Sequence, residues 1–453
     1  MNIFPDTNGL KPLISRSKGP LNGVISVPGD KSMSHRALML AASAIGKTRI
    51  DGLLEGDDVI ATANALAALG TDISNSETGV WIVNGVGVGG FIEPNQILDM
   101  GNAGTSARLM MGLISGNPIT AFMTGDSSLR QRPMKRVTDP LKTMGAQIFS
   151  RKGGYLPLGI RGTLSPLPIE YELKVPSAQV KSSLFLCGLS SAGNTIINEP
   201  VPSRDHTEQM LQKFGANITT EIDSVTGYNR ISLVGQPELK GTEIRIPGDF
   251  SSAAFPIAAS LIIPGSDITL KNVGINPLRK GLLEALNDMG ADITVTPVEE
   301  NFCEPTANIR VKYSQLNGVV VPPNLAPSMI DEYPILAIIA SYARGKTQMR
   351  GISELRLKES DRIASITHLL RSVGVLVEEY DDGIVIEGNG DKVAGGSIIK
   401  TQFDHRIAMS AIIMGMASKS AVSIDDSTSI STSFPGFIGL MNSLGSDISY
   451  VTK

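Results

Sequence analysis

Only two cysteines, Cys187 and Cys303, occur in 453 residues. They cannot build a disulfide framework or the Cys/His set of a structural zinc site. Such scarcity fits a reducing compartment, and the expected location is cytoplasmic. Positive charge is not in excess either: the net charge is −4. With no general basic field, neither nucleic acid nor an anionic membrane is expected as a partner. Any anionic ligand must therefore meet cations gathered locally. Long apolar runs are missing, each being broken by Pro or Gly before the roughly 20 residues that span a bilayer. Met1–Pro12 carries Asp6 and no apolar core, so no signal peptide is expected there. No HExxH motif and no Ser-His-Asp arrangement is visible. A composition of 42% hydrophobic and 19% charged residues is that of a globular protein, and the length suits two or three domains. Cys187, inside Ser183-Leu184-Phe185-Leu186-Cys187-Gly188, reads as core packing.

What is present is a repeat. A helix ending in an apolar residue, then Gly, then a short strand recurs at Ala65–Ile73, Pro140–Ile148, Met210–Ile218, Ala285–Ile293, Leu369–Val377 and Leu440–Ile448. The shared glycines are Gly70, Gly145, Gly215, Gly290, Gly374 and Gly445. Gly suits the position just past a helix, where the backbone turns left-handed. Each copy is preceded by an almost wholly apolar helix: Arg36–Ile45, Arg108–Ser115, Ser183–Ala192, Ala254–Ile263, Tyr333–Tyr342 and Arg406–Ala417. Helices apolar on every side are buried. Six units of about 70 residues exceed common solenoid repeats and suggest two lobes of three units. Val27-Pro28-Gly29-Asp30 and Ile246-Pro247-Gly248-Asp249 open the first and fourth units alike. The expected lobes are 30–248 and 1–29 plus 249–453. The hinge falls at Pro28-Gly29 and Pro247-Gly248, and a cleft between the lobes is the expected ligand site.

Polar residues gather at helix starts, where free N–H groups and the positive dipole end favour phosphates and carboxylates. These starts are Lys31-Ser32-Met33-Ser34-His35-Arg36, Gly101 to Arg108, and Ser177-Ala178-Gln179-Val180-Lys181. Ordinary capping would explain one such start. Several that also carry Lys, Arg and Gln point to anion binding. Further cations stand in Arg130-Gln131-Arg132, Ser203-Arg204-Asp205-His206, Arg356 to Arg362 and Asp404-His405-Arg406. Arg406 leads directly into an apolar helix, where a cation needs a partner or ligand. Two familiar motifs fail in context. Gly46-Lys47-Thr48 follows a helix instead of opening one, and Gly85 to Gly90 (GVGVGG) precedes no suitable helix.

The segments VPGDKSMSHRALMLAA, GNAGTSARL, RQRPM, PSAQVKSSL, SRDHTE, SMIDEYPILA, LKESDR and FDHRIAMS run in order from about residue 20 to 440. Together they resemble the signatures of the 5-enolpyruvylshikimate-3-phosphate synthases. The resemblance implies an α/β (α+β) fold of two similar lobes, each of three βαβαββ repeats. It implies transfer of the enolpyruvyl group of phosphoenolpyruvate to the 5-hydroxyl of shikimate 3-phosphate by addition–elimination, a step of the shikimate pathway. No metal and no organic cofactor are implied, and a monomer is expected. Carried over, Lys31, Gly104, Arg132, Arg362 and Arg406 hold phosphoenolpyruvate. Lys31, Ser32, Arg36, Ser177, Ala178, Gln179, Arg204, Asp331 and Lys358 hold shikimate 3-phosphate. Asp331 takes the hydroxyl proton, and Glu359, assisted by Lys31, exchanges the proton at C3. In the family the herbicide glyphosate fills the phosphoenolpyruvate space with a longer molecule.

Two departures resemble the more divergent bacterial branch. Ala178 replaces a frequent serine, and Ser431-Thr432-Ser433-Phe434-Pro435 has no lysine where many members carry one. The alternatives are a UDP-N-acetylglucosamine enolpyruvyl transferase and a non-catalytic binding protein on the same fold. The first usually carries a reactive cysteine in a loop that here reads Gly125-Asp126-Ser127-Ser128-Leu129. The second would not require Lys31, Asp331, Glu359 and Arg362 together.

Overall fold

All six repeat glycines have left-handed backbone, with φ of 95° at Gly70, 106° at Gly145, 96° at Gly215, 88° at Gly290, 83° at Gly374 and 109° at Gly445. Each ends a helix in this computed structural model, which describes residues 10–298 and 303–451. Residues 1–9, part of the segment read for a signal peptide, lie outside them. At Gly290 an added Cβ would meet nothing within 4 Å, so only the backbone opposes substitution. Gly290→Ala is therefore expected to lower stability by about 1–2 kcal/mol, the cost of an L-residue in that conformation. Urea denaturation checks this; an unchanged midpoint would show that the turn relaxes.

The helices alternate in kind. Among the described residues α1 spans Lys31–Ser43, α2 Asp57–Ala68, α3 Gly104–Ser115, α4 Lys135–Thr143, α5 Ala178–Gly188, α6 His206–Lys213 and α7 Phe250–Ile262. They continue with α8 Gly281–Asp288, α9 Ala326–Met329, α10 Tyr333–Tyr342, α11 Arg362–Ser372, α12 His405–Ala417 and α13 Phe437–Ser443. Helices α1, α3, α5, α7, α10 and α12 are the apolar ones, and every residue of α7 and α12 is buried.

Among the described residues six four-stranded sheets accompany the six repeats. In the second repeat Leu98–Asp99 runs parallel to Thr120–Thr124, with α3 as the crossover that parallel strands require. Thr120–Thr124 then pairs antiparallel with Tyr155–Arg161, and that strand with Gln147–Arg151. The order is βαβαββ. Two repeats borrow their first strand. Asn22–Ile25 pairs with Asp267–Gly274 of the fourth repeat, whereas the first repeat takes Glu243–Arg245 beside Ile45–Asp51. The sixth is completed by Leu13–Arg16, which lies between Val422–Ile424 and Asp447–Tyr450.

The chain divides into two compact units, each with its own core. One holds residues 10–27, 248–298 and 306–451, and the other 28–247 with 303–305. Residues 303–305 join the latter because Cys303 packs on its core and Glu304 pairs with the buried His206. Gly46-Lys47-Thr48 lies within strand Ile45–Asp51, and Gly87 to Gly90 form the turn after strand Val80–Val86. Neither is a phosphate loop. Among the described residues no helix is long and apolar enough to cross a membrane.

Candidate functional site

In the unit 28–247, three buried helices present polar first turns. Asp30 caps α1 by accepting from Met33 N at 2.8 Å. This sets Lys31 as the first helical residue, where its Nζ lies 2.9 Å from Asp58 Oδ2 of α2. A cation there opposes the helix dipole, and the carboxylate offsets that cost. Arg36, one turn on, is buried and held through all three of its nitrogens. Its Nε donates to Thr207 Oγ1 (2.6 Å), its Nη1 to Ser32 O (2.9 Å) and its Nη2 to Ser182 Oγ (2.8 Å). Lys31 and Ser32 are half-buried. His35 is buried and its pKa falls well below the usual range, through burial first and then Lys31 and Arg36. It is therefore a neutral ring, with Nδ1 2.8 Å from Thr62 Oγ1.

Gly104 opens α3 and is buried. Arg132, also buried, donates through Nη2 to Asn102 Oδ1 (2.8 Å) and Ser128 Oγ (3.2 Å). A Cβ at Gly104 would stand 2.8 Å from Arg132 Nη1 and 3.3 Å from Arg108 Nη1. Gln179 joins α5 to α3, accepting from Arg108 Nη1 (2.9 Å) and donating to Thr105 Oγ1 (2.9 Å). Ser177 is the N-cap of α5 and Ala178 its first residue. Arg204 is half-buried, two residues ahead of α6.

Beneath this surface is a group the sequence reading did not assign. Lys181 is completely buried, 3.1 Å from Glu199 Oε1 and 2.5 Å from Glu208 Oε1. It also donates to Ser203 O at 3.3 Å, so it pins the turn that carries Arg204. A lone lysine followed by Ser182-Ser183-Leu184-Phe185 in a helix was the available signal. Burial, opposed by Lys181, raises the Glu208 pKa above 4.5. The folded state therefore binds a proton that the unfolded state releases, and stability falls as pH rises from about 4.5. Lys181 is also raised: burial would lower it, but Glu208 and Glu199 outweigh that, so its contribution holds below pH 10.5. Glu208→Gln keeps the Lys181–Glu199 pair and removes the acidic slope. Relative to the parent it should gain stability as pH rises from about 4.5 into the neutral range in urea unfolding. A constant difference across that range would contradict this.

In the other unit, Arg362 is the first residue of α11 and is 1% exposed. Its Nε donates to Asp404 Oδ2 (2.9 Å), its Nη1 to Asp331 Oδ1 (3.4 Å) and its Nη2 to Glu359 Oε2 (2.5 Å). Burial works against the guanidinium, but Asp404, Glu359 and Asp331 together raise its pKa, so it stays charged. Asp404, itself buried, caps α12 by accepting from Arg406 N (3.0 Å) and also accepts from Ser360 Oγ (3.0 Å). Arg406 Nη1 donates to Asp331 O at 2.9 Å and lies 3.5 Å from Glu332 Oε1. Its Nε and Nη2 make no protein hydrogen bond among the described residues, leaving one edge of the fork for a carboxylate or phosphate. Lys358 and Glu359 are half-buried. Arg356, also half-buried, is tied to Asp361 and Glu379. Thus Asp331, Glu359, Arg362 and Arg406 meet in one cluster, with Lys358 beside Glu359 in the chain. Sequence reasoning missed Asp404 and Glu332, although each adjoins a residue it chose.

Among the described residues one group has metal-ligand character: Asp30, His206 and Glu304, buried, with donor atoms within 4.8 Å of one another. His206 Nε2 and Glu304 Oε2 are 3.1 Å apart, the spacing of an ion pair, and Asp30 is already spent on capping α1. Burial lifts the Cys187 thiol to about 12, so it is not a nucleophile.

A family model described as EPSP synthase (3-phosphoshikimate 1-carboxyvinyltransferase) matches residues 15–441. A 3-phosphoshikimate 1-carboxyvinyltransferase of Paramagnetospirillum magneticum is 54% identical over 439 residues, covering 97% of this chain and 98% of that one. Another from Rhodospirillum rubrum is 52% identical over 445 residues, covering 97% and 98%. Among solved structures, EPSP synthase from Acinetobacter baumannii superposes with a TM-score of 0.86 at 41% identity, covering 98% of this chain and all of that one. The enolpyruvyl transferase NikO from Streptomyces tendae shares the fold, with a TM-score of 0.77 at 15% identity.

Proposed function

Since the chain belongs to the EPSP synthase (3-phosphoshikimate 1-carboxyvinyltransferase) family, we propose that the two polar clusters described above are the means by which it works. The activity is transfer of the 1-carboxyvinyl group of phosphoenolpyruvate to shikimate 3-phosphate with release of phosphate, in aromatic amino-acid biosynthesis. The observation that carries the site assignment is the uncommitted edge of Arg406 beside Asp331 and Glu359. An acidic protein here gathers cations at helix N-termini, as two polyanionic substrates require.

Phosphoenolpyruvate is held by Lys31, Arg132, Arg362 and Arg406, with Gly104 giving close backbone approach. Shikimate 3-phosphate is held by Lys31, Ser32, Arg36, Ser177, Gln179, Arg204, Asp331 and Lys358, with Ala178 supplying backbone only. Asp331 accepts the 5-hydroxyl proton as the oxygen adds to C2 and C3 gains a proton. Loss of phosphate and of a C3 proton then restores the double bond. Glu359 accepts from Arg362 Nη2 at 2.5 Å as a carboxylate does. It therefore suits removal of the C3 proton in the second half, and the Lys31 ammonium suits proton delivery in the first. Protons and C–O bonds are exchanged without net oxidation, so the sequence of steps calls for no cofactor.

A cytoplasmic location and a monomeric state belong to the same proposal. Two unpaired thiols support the former, and light scattering on the purified protein tests the latter. Phosphate release is expected with phosphoenolpyruvate and shikimate 3-phosphate, and none with UDP-N-acetylglucosamine as acceptor. The reverse preference would overturn the reading.

A further inference from the structure

We infer that Glu332, held by Ser251 and Arg279, is a positioning residue for Arg406. The inference rests on the proposed role of Arg406 in binding phosphoenolpyruvate. Asp249 caps α7 by accepting from Ser251 N at 2.8 Å. Arg279 Nη2 lies 3.2 Å from Asp249 Oδ1 and donates to Ser251 Oγ at 2.7 Å. The Ser251 hydroxyl in turn donates to Glu332 Oε1, the same oxygen that stands 3.5 Å from Arg406 Nη1. Glu332 is 1% exposed and Arg279 4% exposed, so the chain of contacts runs out of water.

Three repeats thus converge on one corner of one guanidinium. Arg406 Nη1 is fixed from two sides, by Glu332 and by the Asp331 carbonyl, while its Nε/Nη2 edge stays open. Fixing one corner orients the opposite edge, and bidentate recognition of a carboxylate depends on that orientation. A buried carboxylate supported by a hydroxyl is costly unless it has a charge to meet. Arg406 is that charge. The internal repeat gives the bracket a counterpart: Gly29-Asp30-Lys31-Ser32 and Gly248-Asp249-Phe250-Ser251 are equivalent by their Pro-Gly-Asp motif. In the first copy the Lys and Ser are half-buried, whereas in the fourth Phe250 is core and Ser251 is a buried connector.

Glu332→Gln keeps the size and an acceptor for Ser251 but removes the charge facing Arg406. The KM for phosphoenolpyruvate should rise about tenfold, equal to roughly 1.4 kcal/mol. The KM for shikimate 3-phosphate and kcat should stay within about twofold, because the lost interaction orients ground and transition states alike. Ser251→Ala leaves both charges in place and should give the same selectivity at about threefold, which covers the case of a poorly folded Gln variant. Arg406→Lys is measured alongside, with the double variant. Less than additive effects in the double variant support the bracket. A raised phosphoenolpyruvate KM in Arg406→Lys with no change in Glu332→Gln or Ser251→Ala overturns the bracket and leaves Arg406 as assigned. No change in any of the three overturns both.

Discussion

Arg362→Ala is expected to lower kcat/KM on the order of a thousandfold, about 4 kcal/mol, and to destabilise the fold by about 3–5 kcal/mol. The two losses have one cause. Arg362 meets Asp404, Asp331 and Glu359 through all three of its nitrogens. Asp404 is wholly buried, so removing its partner leaves a charge that water cannot reach. Asp331 and Glu359, the proposed base and proton carrier, would lose their placement with it. Arg362→Lys keeps the charge without the fork and should recover much of the stability but little of the activity. Arg132 makes the instructive comparison. Its contacts to Asn102 and Ser128 are neutral, and Arg132→Ala should cost roughly 30-fold in kcat/KM for phosphoenolpyruvate. Urea unfolding and initial rates on the three proteins check the pattern. A stable Arg362→Ala enzyme within tenfold of the parent would refute the organising role given to Arg362.

Arg362 also shows where the sequence stops being readable. The repeat was legible because glycine past a helix end and helices apolar on all sides are local consequences of backbone geometry and burial. The Arg406 placement was legible for the same reason, since a cation opening an apolar helix must be answered by something. What answers it was not legible. Glu332 and Ser251 are 81 residues apart, and Arg362 and Asp404 are 42 apart. Such pairs are set by which helices pack together, and no local pattern encodes that. The exchange of first strands has the same origin. Asn22–Ile25 leads in sequence toward α1, yet it pairs with Asp267–Gly274. The doubled Pro-Gly-Asp motif marks where the chain crosses but not which sheet each strand enters. Lys181 stood between these cases: its apolar neighbours signalled a buried charge, while Glu199 and Glu208 could be found only in the folded chain.

Gly104→Ala should weaken inhibition by glyphosate about a hundredfold while raising the KM for phosphoenolpyruvate only about tenfold. The helix itself gains from the change, since alanine is the better helix former. The cost falls on what faces the new methyl. A Cβ at this position would lie 2.8 Å from Arg132 Nη1, closer than carbon and nitrogen tolerate, and 3.6 Å from Leu129 Cδ1. Leu129 is buried, so the arginine tip must give way. Arg132 then meets its anion from a shifted position, in a space one methyl smaller. A compact substrate can follow the guanidinium. A longer molecule that already fills the space cannot, because a close-packed site absorbs an added methyl only through strain of about 1–3 kcal/mol. Measuring the inhibition constant and the Michaelis constant on both proteins separates the two effects. Equal fold-changes would mean that displacement of Arg132 alone explains the loss and that ligand length plays no part. A further variant, Ser128→Ala, removes one tether on Arg132 Nη2, the 3.2 Å contact, and loosens the tip without filling the space. It should raise both constants alike, and the contrast with Gly104→Ala isolates the steric contribution of the methyl.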